Sequence, residues 1–200
     1  VVTEDDLDDA SAALRGGAVV AVPTDTVYGL AVRADEPGAT RALFALKGRP
    51  ERTALPVLVT DLAMALEIVT PTDDRFTRLA RVFWPGALTL VAPMREGVTL
   101  AIGGDGRTVG VRCPAHDGLR ALIARTGPLA VSSANRSGAP PATSASEVVE
   151  IFGGAVLVLD GGVCDGAPST VAETPPTGGV AVLRSGPVTE DALRAALRAS

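Results

Sequence analysis

Residues 3–23 read T-E-D-D-L-D-D-A-S-A-A-L-R-G-G-A-V-V-A-V-P, and this stretch decides the fold class. Leu7, Ala10 and Leu14 recur at helical spacing, acids fill the first turn and Gly16-Gly17 stops the run, so Thr3 to Arg15 is predicted as a helix. Ala18 to Pro23 is then a short, Val-rich apolar run without polar alternation, the pattern of a strand buried on both faces. A helix delivering its chain straight into a buried strand is the unit of an interleaved α/β or α+β architecture. Pro23 to Gly29 continues as a polar turn.

The same alternation runs outward to the C-terminal side. A helix is predicted from near Pro37, capped by Asp35 or Glu36, to Lys47, followed by a strand at Leu55 to Val59. Asp61 caps a helix reaching about Val69, and Asp73 or Asp74 begins another that ends near Phe83, where Trp84-Pro85-Gly86 breaks it. Ala87 to Ala92 and Thr108 to Cys113 read as strands, and the Gly-rich stretch between them is expected to be mobile. A helix at Leu119 to Arg125 precedes a strand at Pro128 to Ser132. Ser144 with Glu147 has the spacing of a capping box for a helix to Phe152. Ala155 to Leu159, Thr170 to Glu173 and Val180 to Leu183 read as strands, and Thr189 opens a last helix. The expectation is one α/β (α+β) domain over residues 1–200, built on a mixed sheet.

Composition sets the outer limits. The chain is 46% hydrophobic with 3% aromatic residues, so the core must be made mainly of Val, Leu, Ile and Ala. A formal charge of −5 argues against a surface coated for non-specific nucleic-acid binding, while 18 Lys and Arg leave room for a local basic cleft. Apolar runs such as Ala18 to Pro23 are of strand length, too short to span a bilayer. Val1 to Arg15 is acidic and polar, unlike a secretory signal. A soluble cytoplasmic protein with no membrane association is the expectation.

Several familiar sites fail on residue types. There is no G-x-x-x-x-G-K-[ST], and Gly103 to Gly106 lacks the spacing and strand-to-helix setting of a dinucleotide fingerprint. His116 is the only histidine, which leaves little for a Ser-His-Asp triad. Cys113, His116 and Cys164 fall short of the four ligands of structural zinc. Cys113 packing at a strand end, with His116 on the next turn, is the simpler reading, and no metal ligand is assigned.

What remains is polar residues placed at the ends of apolar strands. Thr24-Asp25-Thr26 follows a buried strand and suits recognition of a small polar ligand, or else satisfies its own turn. Lys47-Gly48-Arg49-Pro50 can converge two cations on one anion, or serve as solvated cations favoured by a helix C-terminus. Ser132-Ser133-Ala134-Asn135 leaves a strand where ligand crevices form, or is an ordinary loop. Arg112 and Arg184 lie in strands, and a partly buried arginine needs an anion or carbonyl. A structural carboxylate such as Asp160 or Glu173 would serve as well as a substrate.

In order along the chain, P-T-D-T-V-Y-G-L (23–30), K-G-R-P (47–50), W-P-G-A-L-T-L-V (84–91), T-V-G-V-R-C-P (108–114), S-A-N-R-S-G (133–138), D-G-G (160–162), S-T-V (169–171) and V-L-R-S-G (182–186) resemble the YrdC family of threonylcarbamoyl-adenylate synthases over about residues 15 to 187. The resemblance implies a YrdC/RibB-like twisted mixed sheet with flanking helices around a concave positive cleft. It implies that L-threonine, bicarbonate and ATP, with magnesium, give threonylcarbamoyl-AMP and pyrophosphate. Separate proteins then transfer the threonylcarbamoyl group to tRNA.

By that resemblance, Lys47 and Arg49 meet the ATP phosphates and the carbamate, and Ser133 and Asn135 hold nucleotide phosphate or ribose. Thr108 and Arg184 lie along the ATP. Thr24 and Thr26 contact threonine, Arg112 pairs with its carboxylate and Ser169 reaches it. The sequence departs from the pattern at Thr53 and Leu58, where many relatives have Asn and His, and at Pro141, where relatives often have Ser. Some relatives carry a second, C-terminal domain, and the expectation here is the single-domain form. The rival implication is a non-catalytic protein binding double-stranded RNA or tRNA, or serving ribosome maturation.

Overall fold

The threonine at position 3 accepts the Asp6 amide at 3.2 Å through its hydroxyl, and the Asp6 carboxylate takes the Thr3 amide at 2.9 Å, so α1 (Glu4–Arg15) opens on a reciprocal cap. The computed structural model describes residues 2–48, 52–164 and 166–199. Gly16 ends α1, and β1 (Val20–Val22) follows as the apolar run requires. β2 (Gly29–Arg33) lies antiparallel to β1 with Val22 opposite Gly29, so residues 23–28 form the loop of a wide hairpin. That strand is not assigned in the sequence reading. Five residues following a polar turn carry little periodicity, and their strand character comes from pairing with β1 and β6.

The order continues α2 (Pro37–Lys47), β3 (Val57–Leu58), α3 (Leu62–Ile68), α4 (Asp74–Phe83), β4 (Leu88–Pro93), β5 (Thr108–Arg112), α5 (Asp117–Thr126), β6 (Leu129–Ser133), α6 (Ala145–Phe152), β7 (Leu157–Val158), β8 (Thr170–Glu173), β9 (Ala181–Arg184) and α7 (Glu190–Arg198). Glu36, Asp61, Asp73, Ser144 and Thr189 each accept an amide in the first turn of their helices. The Ser144–Glu147 box is half formed. Ser144 takes the Glu147 amide, but the Glu147 carboxylate takes the amide and hydroxyl of Thr143, one residue earlier.

Among the described residues the strands form one twisted mixed sheet in the order β7-β1-β2-β6-β3-β5-β4-β8-β9. β7–β1, β3–β5 and β4–β8 are parallel and the other pairs antiparallel. Alternation along each strand sorts side chains to two faces. On one face Leu30, Val57, Leu90, Val111 and Ala172 pack beneath α2, α3, α4, α6 and α7. On the other, α1 and α5 cover Val20, Val22, Ala31, Leu58, Leu129 and Val131, which come from β1, β2, β3 and β6. That second cluster takes no residue from β4, β5 or β8. The helical cover of this face thus stops short of β4, β5 and β8, and the cleft opens at its edge.

The Gly97 to Arg107 segment is fastened at its middle, contrary to the mobility expected of its glycines. Ala101 donates to the Ala34 carbonyl at 2.7 Å, Leu55 donates to the Ile102 carbonyl at 2.8 Å, and Ile102 is buried. One apolar side chain anchors what the glycines leave free.

α5 is capped by a titratable group. His116 Nδ1 accepts the Leu119 amide at 3.1 Å. Burial holds the His116 pKa below its ordinary 6.5, against the raising effect of Asp25 and Asp117, with Arg120 adding a small lowering. The folded state therefore favours neutral His116. Its contribution is complete above 6.5 and is lost as pH falls through the depressed folded value. Protonation also occupies the nitrogen that accepts the cap. Between pH 7 and pH 5 the wild type should lose about 1 kcal/mol of unfolding free energy relative to His116→Asn, which keeps a cap acceptor without the titration. Urea melts across that range check this, and parallel profiles for the two proteins would contradict it.

Candidate active site

A cavity of about 330 Å³ opens on this sheet face at the edge of the α1 and α5 cover, between Gly29, Leu58 and Val131 on one side and Thr89, Arg112 and Arg184 on the other. Its floor exists because one strand position lacks a side chain. Gly29 lies opposite Ser133, and a Cβ there would stand 2.5 Å from Val131 Cγ1. Val27, Leu58 and Pro56 continue the apolar floor, and the polar walls arrive from separated parts of the chain. Among the described residues Arg112 and Arg184 are the cations that line it, and no carboxylate does.

Arg112, at the end of β5, points onto this face and is almost fully buried. It donates from Nε to the Gly86 carbonyl at 2.9 Å, from Nη1 to Thr26 Oγ1 at 3.0 Å and from Nη2 to Asp25 Oδ1 at 2.6 Å. Burial pulls its pKa down and the Asp25 charge pushes it back, and a guanidinium stays protonated throughout. The carboxylate that the sequence reading sought at Asp160 or Glu173 is Asp25, which also accepts the Ala115 amide at 3.0 Å. Asp160 instead takes the Gly162 amide. The Thr24-Asp25-Thr26 turn satisfies its own backbone, as one of its two readings has it, and it also borders the cavity. Thr24 Oγ1 accepts the amides of Thr26 and Val27 and donates to the Val27 carbonyl, which is turn duty, while Thr26 meets Arg112 at the cavity.

Ser133 and Asn135 line the cavity from the end of β6. Ser133 Oγ donates to Asn135 Oδ1 at 2.6 Å, and Asn135 Nδ2 donates to the carbonyls of Arg136 and Ala139. Lys47 is 4% exposed and does not line the cavity. Its ammonium donates to the Ser133 carbonyl, to the Asn135 carbonyl at 2.9 Å and to Asn135 Oδ1 at 3.0 Å. Arg49 lies outside the described residues. Thr108 is exposed at the far end of β5, opposite Pro93, and is not part of the cavity wall.

Ser169 and Arg184 form the remaining wall. Arg184 donates from Nε and Nη2 to the Ser169 carbonyl and from Nη2 to Ser169 Oγ, and Ser169 Oγ lies 2.9 Å from Thr89 Oγ1. Thr89 also lines the cavity and is missed by the sequence reading. The available signal is a lone hydroxyl between Leu88 and Leu90 in an otherwise apolar strand. Tyr28 is a second omission. Its hydroxyl accepts the Gly161 amide at 3.2 Å and donates to the Gly162 carbonyl at 2.9 Å, tying D-G-G to the cavity loop, and burial pushes its pKa up to about 12. Leu58 and Pro141, two of the departures from the family pattern, both line the cavity, while Thr53 is exposed and does not. Cys113 lies outside it. The thiol donates to the Thr60 carbonyl, and burial pushes its pKa up to about 11, which keeps it an inert thiol.

A model of the Sua5/YciO/YrdC family, described as "Telomere recombination", matches residues 12–186. The threonylcarbamoyl-AMP synthase of Bacillus subtilis is 36% identical over 164 residues, covering 81% of this chain and 46% of its own. The threonylcarbamoyl-AMP synthase of Chromohalobacter salexigens is 39% identical over 172 residues, covering 84% of this chain and 92% of its own. The crystal structure of Pyrococcus abyssi Sua5 complexed with L-threonine superposes with a TM-score of 0.92 at 35% identity, over 98% of this chain and 58% of that one. The chain thus spans about half the length of the Bacillus and Pyrococcus relatives and nearly all of the Chromohalobacter one. With a family model matching most of its length and these relatives at 35–39% identity, the chain belongs to the Sua5/YciO/YrdC family.

Proposed function

We propose that this chain makes threonylcarbamoyl-AMP and pyrophosphate from L-threonine, bicarbonate and ATP, and that residues 1–200 act as one catalytic unit in the cytoplasm. The observation that carries the reading is the cavity. Thr26, Arg112, Ser133, Asn135, Ser169 and Arg184 come from separate strands and loops and meet around one space. Relatives named for that activity, and one solved with L-threonine, support it.

The described partners of Arg112 take one N–H from each guanidinium nitrogen, which leaves a second on Nη1 and on Nη2 for the threonine carboxylate. Thr26 and Ser169 offer hydroxyls to the same amino acid, with Thr24 holding the Thr26 turn. Ser133 and Asn135 face the nucleotide phosphates or ribose, and Arg184 lies along the nucleotide. Thr108 reaches ATP only where the nucleotide extends beyond the cavity. Arg49 is assigned to the phosphates by its place in K-G-R. The threonine amine attacks bicarbonate-derived CO2 to give a carbamate, whose oxygen attacks the α-phosphorus in line as pyrophosphate leaves. Positioning and charge neutralisation carry such a step, so neither a Cys nor a His nucleophile is required.

No group of His, Cys, Asp or Glu that could hold a metal occurs among the described residues, and the cavity lining offers hydroxyls and cations. That donor set fits no protein-held cation. Magnesium is written into the reaction as part of the MgATP substrate, carried by phosphate oxygens and water. No helix among the described residues is long and apolar enough to cross a membrane. The product passes to the proteins that modify tRNA.

Incubation with MgATP, L-threonine and bicarbonate should yield the adenylate by mass together with one pyrophosphate, and bicarbonate depletion should stop both. Pyrophosphate release that continues without bicarbonate would show another chemistry. Absence of turnover, with RNA affinity that falls steeply with salt, would favour the non-catalytic reading.

A further inference from the structure

The geometry points to Lys47 as a positioning residue that holds the Ser133–Asn135 turn in shape, and not as a ligand of the nucleotide phosphates. The inference rests on the proposed function for what the turn contacts, but not for the strut itself. Lys47 is the only lysine in the chain, and the other 17 of its 18 basic residues are arginines. A chain that uses arginine at every other cationic position keeps a different cation here. The surroundings supply a reason. An ammonium carries three N–H in a compact tetrahedral fan, whereas a guanidinium presents a planar fork.

At Lys47 three acceptors surround one nitrogen: the carbonyls of Ser133 and Asn135 and the Oδ1 of Asn135, all within three residues of one turn. A planar fork of Arg size has neither the room at 4% exposure nor the directions to serve them. Further bonds tie the same two segments together. The Arg136 guanidinium donates to the Leu46 carbonyl at 2.7 Å, and the Ser137 amide donates to the Lys47 carbonyl at 3.2 Å, which satisfies two carbonyls at the C-terminus of α2.

The consequence reaches the cavity through Asn135. Its Oδ1 accepts both from Lys47 Nζ and from Ser133 Oγ at 2.6 Å, and its Nδ2 is held by the Arg136 and Ala139 carbonyls. The ammonium therefore fixes which way round the Asn135 amide sits and where the Ser133 hydroxyl rests. Both line the cavity, while Lys47 itself does not.

The single lysine makes a direct test possible. Labelling with 15Nζ-lysine gives one side-chain ammonium. In the nucleotide-free protein it should exchange slowly and show scalar coupling to the carbonyl carbon of Ser133 or Asn135. Both features should persist with MgATP and L-threonine bound, with no coupling to phosphorus. Fast exchange in the free protein, loss of the carbonyl coupling on nucleotide binding, or a 15N–31P coupling would each overturn the inference. ATP binding is followed separately by 31P line broadening. If the wild type binds no ATP, the functional reading fails, while the nucleotide-free coupling still decides the strut.

Variants give the second arm. A phosphate ligand would tolerate Lys47→Arg, since arginine binds phosphate at least as well. A strut would not. Lys47→Arg is therefore expected to lose about as much kcat as Lys47→Met, roughly 100-fold, which is the cost of displacing a positioning group by about an ångström. The KM for threonine, whose proposed contacts lie on other strands, should change little in either. Activity of Lys47→Arg within about tenfold of wild type would also overturn the inference.

Discussion

Arg112→Ala should lose about 3 kcal/mol of stability and, in the same protein, raise the KM for threonine roughly 100-fold while shifting that for ATP much less. The two effects have different origins. Arg112 and Asp25 are paired at 2.6 Å with side chains 6% and 15% exposed, so removing the guanidinium leaves a carboxylate that is poorly hydrated and keeps only the Ala115 amide. Breaking such a pair costs more than the pair contributes, because the orphaned charge is what destabilises. The lost bonds to Thr26 and Gly86 loosen the Thr24–Thr26 turn and the segment before β4. The kinetic effect follows from losing the N–H groups assigned to the threonine carboxylate, since charge-assisted bonds of this kind contribute about 1.5–3 kcal/mol each.

A second substitution separates the two effects. Asp25→Ala added to Arg112→Ala removes the orphan, so thermal stability should return part of the way while threonine use stays lost. Equal changes in KM for threonine and ATP would contradict the assignment of Arg112. Recovery of threonine use in the double variant would contradict it as well.

Gly186→Ala is expected to be the most damaging change of a single methyl group. A Cβ at this position would stand 2.4 Å from the Thr170 amide nitrogen, 2.5 Å from the Pro168 carbonyl oxygen and 2.7 Å from the Ser169 carbonyl carbon. All three are backbone atoms, so no side-chain rotation relieves the overlap. The chain after β9 must move away from the start of β8, and Ser169 with Pro168 forms a wall of the cavity there. Overpacking against a fixed backbone costs about 3 kcal/mol, equivalent to a fall in Tm of roughly 6–12 °C for a chain of this length. Displacing Ser169 should also reduce turnover by about 100-fold. Calorimetry and the adenylate assay check the two. A variant melting within a degree or two of wild type would show that the segments are not packed as described.

How much could be read in advance depended on how local the cause was. The caps at Asp61, Ser144 and Thr189, and the choice of Asp73 or Asp74, are legible because a cap is an arrangement of four neighbouring residues, whereas Thr3 reads as the first helical residue and is in fact the cap. The half-formed box at Ser144 was not, since Glu147 can reach either of two adjacent amides and only the path of the incoming chain decides. β2 escaped notice because its strand character comes from partners about ten and a hundred residues away along the chain. Arg112 was recognised as a cation in need of an anion, but not as the partner of Asp25, because no spacing relates positions 87 residues apart.

Order and residue chemistry along the chain were enough to establish an alternating α/β fold and to pick out most of the polar groups that meet in the cleft. Helical periodicity, strand alternation and capping act over a few residues, and the string of letters holds that information. Folding decided where those groups stand. It turned Lys47 inward onto the Ser133–Asn135 turn, added Thr89 and Tyr28, set Thr108 outside the cavity, and opened the cleft where α1 and α5 stop covering the sheet. Those outcomes follow from which strands become neighbours and which face each side chain takes, and that is settled by packing across the whole sheet.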